Sequence, residues 1–315
     1  MTGTASSSAL DVTRLRLLRE VALRGSIAAA AREVGLTPSA VSQQLSILER
    51  EAATPLLDRS PRGVLLTGAG QALVERAAAI LQLLEQARAD LDRLAGEIAG
   101  HVRVGTVASA AAALVSPAAT RLAAEHPELD LSVLVAEPNR SIELLLNGDL
   151  DIAVVDIYDG VPLPMPDYLL ATELCTEALV VVGRPADFAS LTGSRHAPVE
   201  LASLSGSDWV MPPIDAACGQ AVRFACRAHG FEPRVRWETD DMLLLVRAVA
   251  AGHGVAVLPR LAVADEVAEV VTRSLINPAM DRRSLALTRT SNESRPVVRA
   301  VLTELTNAAS RPAIA

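Results

Sequence analysis

Lysine occurs nowhere in this 315-residue chain, and all 29 of its basic side chains are arginine. A phosphate loop of the Gly-x-x-x-x-Gly-Lys type and a Schiff-base or pyridoxal site each need a lysine amine, so both are excluded. Aromatic residues make up 2% of the chain and hydrophobic residues 50%, which leaves Ala, Leu and Val to fill its cores. Three cysteines, at 175, 218 and 226, are too few for a disulfide framework. The five histidines (101, 126, 196, 229 and 253) lack metal-ligand spacing, and no Gly-x-Ser-x-Gly elbow or other nucleophile constellation occurs. Neither a metal nor a cofactor is therefore expected, and the chain does not read as an enzyme. No run of about 18 unbroken apolar residues offers a membrane span. The start, Met1-Thr2-Gly3-Thr4-Ala5, lacks the basic residues and apolar core of a signal peptide. A cytoplasmic protein is expected.

The formal net charge of −8 argues at first sight against a nucleic-acid partner, but its distribution reverses the argument. Up to Leu66 there are eight arginines against six acids, a net of +2, and the remainder carries −10. Only the first part is free to approach phosphates, since the acidic remainder is repelled by them. A chain of this length also calls for two or three domains.

The basic part shows helical punctuation. Leu15, Leu18, Val21 and Ala22 mark one face of a helix from Asp11 to Leu23, and Arg24-Gly25-Ser26 breaks it with Ser26 as the next N-cap. A short helix from Ile27 to Val34 ends at Gly35, with Leu36 expected to point inward. Thr37-Pro38 then opens a third helix with a cap and a first-turn proline, placing Val41, Leu45 and Leu48 inside and Ser39, Ser42, Gln43 and Gln44 outside. Two helices joined by a tight glycine turn, the second with a small polar outer face, make a helix-turn-helix. Residues 58–67 follow as two short strands around Pro61-Arg62-Gly63, a wing suited to gripping sugar-phosphate.

Thr67 caps a long helix to about Ala95, and Gly68-Ala69-Gly70 reads as helix entry; a dinucleotide fingerprint would need a third glycine. Leu73, Ala77, Ile80, Leu84, Ala87, Leu91 and Leu94 repeat in steps of four and three, a heptad seam that predicts a dimerisation helix. After a hinge at Gly96–Gly100, strands and helices alternate, which predicts a parallel α/β sheet in two halves with a cleft between them.

Residues 25–45, Gly-Ser-Ile-Ala-Ala-Ala-Ala-Arg-Glu-Val-Gly-Leu-Thr-Pro-Ser-Ala-Val-Ser-Gln-Gln-Leu, with Leu48-Glu49, Thr54-Pro55-Leu56-Leu57 and Arg59, resemble the head of LysR-type transcriptional regulators. Gly148-Asp149-Leu150-Asp151 and Val249-Ala250-Ala251-Gly252-His253-Gly254-Val255 before Leu258-Pro259 extend that resemblance nearly end to end. It implies a winged helix-turn-helix (1–66), a linker and dimerisation helix (67–95) and a periplasmic-binding-protein-like effector domain (96–315) of two subdomains. Subdomain I is expected at about 100–170 and 275–308, and subdomain II at about 171–274. The partners implied are an inverted-repeat DNA operator, a small-molecule effector and further copies of the chain, as a homodimer and by family pattern a homotetramer.

DNA contact falls on Thr37, Pro38, Ser39, Ser42, Gln43, Gln44, Arg59 and Arg62. Many family members carry Arg where this chain has Gln43; Gln suits adenine and Arg suits guanine. The same resemblance places effector contact at Val107, Ala108, Ser109, Ala110, Glu137, Pro138, Asp156, Pro212, Pro213 and Asp240. The helix start at Ser109 suits a carboxylate, whereas Glu137, Asp156 and Asp240 favour a ligand with a cationic or hydroxyl group. Two alternatives stand beside this reading. One is a solute-binding protein of transport type, which the 95-residue head and the lack of a signal peptide disfavour. The other is a redox sensor through Cys218 and Cys226, near where peroxide-sensing members place such a pair. Their spacing of eight is about 12 Å of helix rise, too long for a disulfide.

Overall fold

The computed structural model describes residues 10–60, 63–95, 98–163, 165–166, 169–189, 197–263 and 269–310. The chain divides into two units, Met1–Leu91 and Asp92–Ala315.

In the first unit α1 (Val12–Arg24), α2 (Ile27–Glu33) and α3 (Pro38–Glu51) pack around Leu15, Leu18, Val21, Ala31, Val41, Leu45 and Leu48. Ser26 and Thr37 cap where the sequence puts them, and Asp11, expected as the first helical residue, is the cap of α1. Asp11, Ser26 and Thr37 accept the N–H groups of Arg14, Ala29 and Ala40, satisfying helix donors that have no partner within the helix. Gly25 and Gly35 both adopt φ of 66°, the left-handed turn that closes a helix without a Cβ penalty. Leu36 departs from expectation. Its N–H bonds to the Ala31 carbonyl and its side chain turns outward, 44% exposed, because the left-handed glycine swings the chain away from the core.

The wing is an antiparallel pair, β1 (Leu57–Ser60) and β2 (Gly63–Leu66). The Glu49 carboxylate accepts the N–H groups of Leu56 and Leu57 and ties the start of β1 to α3. Thr67 caps α4 (Gly68–Ala95) through the Gly70 N–H. A Cβ on Gly70 would stand 2.1 Å from the Leu56 carbonyl oxygen, so this crossing needs glycine. Along α4 the heptad seam divides. Ala77 and, more loosely, Leu73 pack into the head's core, whereas Ile80, Leu84, Ala87 and Leu91 are exposed. The side chain of Leu94 lies outside the described residues.

The second unit runs through β3 (Gly100–Thr106), α5 (Ala108–Ala110), a π turn (Ala111–Val115), α6 (Ser116–Glu125), β4 (Leu129–Val135), α7 (Pro138–Leu146) and β5 (Ile152–Tyr158). It continues through β6 (Leu169–Gly183), β7 (Val199–Glu200), β8 (Asp208–Met211), α8 (Ala217–Ala228), β9 (Arg234–Glu238) and α9 (Met242–Ala250). Last come β10 (Ala256–Pro259), β11 (Val271–Ile276), β12 (Asp281–Arg289) and α10 (Pro296–Ala309). The main sheet has the order β4-β3-β5-β12-β6-β11-β7, with β10 also on β6, and β8 pairs separately with β9.

The sheet is mixed, which corrects the parallel expectation. β3 is parallel to β4 and β5, but β12 is antiparallel to β5 and β6, and β10 and β11 are antiparallel to β6. The reason is connectivity: β6 and β12 carry the chain across between the two halves, and returning strands run against the outgoing ones. β6 pairs with β12 up to Ala178 and with β10 and β11 from Leu179 onward, so one strand serves both halves. A bulge in β6 opposite Ser284/Leu285 bends it at the crossing. Separate cores lie under each half, one around Val104, Leu114, Leu122 and Val301, the other around Val181, Trp209, Val222 and Val257.

Candidate functional site

A cavity of about 370 Å³ lies in the cleft of the second unit, within the range of small-molecule sites. Val107, Ala108, Ser109, Glu137, Pro138 and Asp156 line it from the first half, and Pro212 and Asp240 from the second. These eight expected residues converge because β3, β4, β5, β8 and β9 all end at the cleft. Ala110 does not reach it, being buried in the first core, and Pro213 is not among the lining residues. Tyr158, Ala216, Ala217, Asp241 and Met242 also line the cavity without having been named as effector contacts, as does Cys218, which the sequence offered only for a redox pair. For Asp241 a signal existed. An acid two residues after Thr239 and just before an apolar run is an N-cap pattern, and its carboxylate accepts the Leu244 N–H.

Beneath the cavity sits a side chain that the sequence pattern did not reveal. Arg282, 0% exposed, donates from Nη1 to Ser109 Oγ (2.6 Å) and Asp156 Oδ2 (2.7 Å), and from Nε to Glu177 Oε1 (2.9 Å). Nη2 also bonds Glu177, whose other oxygen accepts the Leu261 N–H, and Ser284 donates to Asp156 Oδ1. The five side chains come from α5, β5, β6 and β12, so the ion cluster sits at the crossing between halves. Asp281-Arg282-Arg283-Ser284 is a run of four polar side chains, and nothing in it marks Arg282 as the buried one.

Burial sets the electrostatics. It pushes the Asp156 carboxyl above the usual range, against the pull of Arg282 and Ser284. Burial also opposes the charge on Arg282, yet Asp156, Tyr158 and Glu177 hold that guanidinium firmly protonated. Glu137 titrates above its ordinary range, first through desolvation and then through repulsion by Asp156, Asp240 and Asp215. Burial pushes both Cys218 and Cys226 up to about 12. Both are buried on α8 and hold almost no thiolate at neutral pH, so the redox alternative is not favoured.

In the head, Thr37, Pro38, Ser39 and Gln43 are exposed at the start of α3. Gln43 makes no side-chain hydrogen bond among the described residues. The Thr37 oxygen is engaged in capping and contacts Ser39 Oγ at 3.0 Å, which fixes that first turn. Ser42 is partly buried. Gln44 does not stand on the free face: its Oε1 accepts Arg14 Nε at 3.0 Å, and Arg14 also pairs with Glu51, pinning α1 to α3. Arg59 lies in β1, and Arg62 lies outside the described residues. Among the described residues no helix is long and apolar enough to cross a membrane.

Comparison with known proteins finds relatives for both parts of the chain. Residues 12–71 match the family model of the bacterial regulatory helix-turn-helix protein, lysR family, and residues 95–310 match the LysR substrate binding domain. The probable HTH-type transcriptional regulator LrrA of Synechococcus elongatus is 28% identical over 85% of this chain and 87% of that protein. The HTH-type transcriptional regulator GbpR of Rhizobium radiobacter is 30% identical over 82% of this chain and 83% of its own length. Among solved structures, a full-length cysteine variant of OxyR from Pseudomonas aeruginosa superposes with a TM-score of 0.71 at 20% identity, covering 94% of this chain and 95% of the other. The full-length CbnR complex with its target DNA does so at 0.62 and 17%, covering 95% and 99%. The transport-type alternative falls with the match to the head. The chain belongs to the LysR family of transcriptional regulators, with a helix-turn-helix DNA-binding domain and an effector-binding substrate domain.

Proposed function

We propose that this regulator reads an inverted-repeat operator with α3 and changes its grip when a small molecule fills the cavity in its second unit. The observation that carries the proposal is one chain holding both an exposed Ser39/Gln43 face and a cavity lined from both halves of an α/β unit. Thr37, Pro38, Ser39, Ser42 and Gln43 enter the major groove, with Gln43 reading a base edge. Arg59 and Arg62 hold the neighbouring phosphates from the wing. Gln44 is left out of this set because Arg14 holds it.

Closure of the two halves around the ligand, with β6 and β12 as the bending strands, alters subunit packing and hence the spacing of paired heads. Pairing uses the exposed stripe Ile80, Leu84, Ala87 and Leu91, with Leu94 continuing its spacing. The head takes 1–66, the linker 67–95 and the effector domain 96–315, and two dimers make the working tetramer. The protein acts in the cytoplasm, by binding and without catalysis.

Fluorescence anisotropy on the DNA upstream of its own gene tests the reading, at two salt concentrations and against a scrambled duplex. Selective binding that weakens with salt supports it. Equal, weak binding to every genomic fragment tried overturns it.

A further inference from the structure

The floor of the cavity has a defined hydrogen-bond polarity. Arg282 Nη1 donates to both Ser109 Oγ and Asp156 Oδ2, which places a hydroxyl and a carboxylate side by side at the base of the cleft. Ser109 is 5% exposed and lines the cavity. Because its oxygen already accepts from the guanidinium, its own hydrogen points elsewhere, and it has no acceptor among the described residues. A buried hydroxyl with an unspent donor is costly unless something in the cavity accepts from it. Beside it, Asp156 takes one bond on each oxygen, from Ser284 and Arg282. A carboxylate has about four acceptor positions, so it retains capacity toward the cavity.

The charge around that floor has one sign. Glu137, Asp156, Asp240 and Asp241 line the cavity, and no basic side chain does among the described residues. Arg282 is fully buried and all its donor nitrogens are engaged, so it neutralises the floor from behind without reaching a ligand. Two carboxylates, Asp156 and Glu177, share that single cation. Glu137 titrates above its ordinary range chiefly through burial, and the further rise from Asp156, Asp240 and Asp215 accords with a negative field at the mouth. At the same wall the first turn of α8, whose N-cap Ala216 offers no side-chain acceptor, gives its Ala217 N–H to the Glu137 carboxylate, which fixes that acid at the cavity. Val107, Val135, Pro138, Pro212 and Met242 supply apolar walls.

Resting on the reading of this cavity as the effector site, we propose that its ligand is compact and presents an ammonium group beside an oxygen acceptor, the pattern of an α-amino acid or a small amino alcohol. The ammonium pairs with Asp156 and is drawn in by Glu137 and Asp240. The oxygen accepts from Ser109, and an apolar side chain lies against Val107 and Met242. A plain carboxylate meets no free cation here and faces several acids, which is the basis of selection against it.

The test uses the full-length protein, thermal melting and titration calorimetry. The probes are the α-amino acids and small amino alcohols, each paired with its deaminated acid and its decarboxylated amine (leucine, for example, with 4-methylpentanoate and 3-methylbutylamine). The expected result is stabilisation by at least one amine-plus-oxygen probe and none by its deaminated partner. Glu137→Gln, at the exposed mouth, and Ser109→Ala should each weaken that probe about tenfold or more. Asp156→Asn should abolish binding; as it also disturbs a buried ion pair, the two milder variants carry the decision. If deaminated acids bind as well as the amines or better, or if no probe of the panel binds, the ligand class is overturned. The effector reading itself is tested separately by operator release with extracts of metabolites, comparing wild type with Met242→Trp, which fills the cavity. Release that is lost in Met242→Trp while amines are inert leaves the effector site standing and removes only the class proposed for it. Release that is unchanged in Met242→Trp removes both.

Discussion

Replacing Arg282 with Met should be among the most damaging single substitutions in the effector domain. The guanidinium is 0% exposed and pairs with Asp156 and Glu177, both also buried. Methionine matches the stem in length but leaves two carboxylates without a cation and Ser109 without its donor. Breaking a buried ion pair from one side costs about 3–5 kcal/mol. For a domain of this size each kcal/mol moves Tm by about 2–4 °C, so the melt should fall by roughly 6–20 °C. The loss should also depend on pH in a defined direction. Asp156 already titrates above its ordinary value because it is buried, and Arg282 is the largest influence opposing that rise. Without Arg282 its folded-state value climbs further above that of the unfolded chain. A carboxyl raised in this sense destabilises the fold progressively as pH rises from its unfolded-state value to its folded-state value. Below the unfolded value both states hold the proton and the penalty vanishes. The deficit should therefore shrink toward acid pH and be largest above neutrality. Thermal and urea melts followed by fluorescence of Trp209, which is buried in the second half, give the numbers across pH. Replacing Asp156 and Glu177 by apolar residues in the Arg282→Met background should recover much of the loss, since a whole buried cluster is replaceable where half of it is not. An Arg282→Met melt within about 1 kcal/mol of wild type at slightly alkaline pH would refute the reasoning, because an uncompensated buried charge cannot cost so little.

Gln43→Ala should leave the circular dichroism spectrum and melt unchanged. It should weaken operator binding by about 1–3 kcal/mol, with the loss confined to one base step when the operator is scanned. Leu84→Arg with Leu91→Arg, on the exposed part of α4, should shift the chain toward monomer in sedimentation; an unchanged oligomer would place the interface elsewhere. The head should keep its stability in that variant, because Leu73 and Ala77 serve its core and are untouched. Cys218 and Cys226, with thiols at about 12, should resist labelling by a disulfide reagent in the native protein at neutral pH and react only on unfolding. Peroxide should leave operator affinity the same in wild type and in a Cys218→Ala, Cys226→Ala variant, and a peroxide response lost in that variant would reinstate the redox reading.

The chain's local chemistry determined its elements and their order. Ser26, Thr37 and Thr67 cap the helices they announce, and Gly35 takes the left-handed turn its position demands. Such features act over about four residues or fewer, so they are written directly in the sequence. The ends of β3, β4, β5 and β8 were legible too, and with them half of the cavity wall. Strand direction was not, because whether β12 runs with or against β5 depends on how the chain crosses between halves, and no local pattern encodes that. The fate of polar residues was equally hidden. Gln44 sits one residue from Gln43 and has the same side chain, yet only its partner Arg14, 30 positions away, removes it from the reading face. Arg282 reads as surface charge and becomes the buried centre of the effector domain because Ser109, Asp156 and Glu177, 173, 126 and 105 residues away, close around it. Periodicity and capping are short-range forces and survive in one dimension. The desolvation and pairing of charge depend on what the fold brings within about 3 Å, and only the tertiary structure decides that.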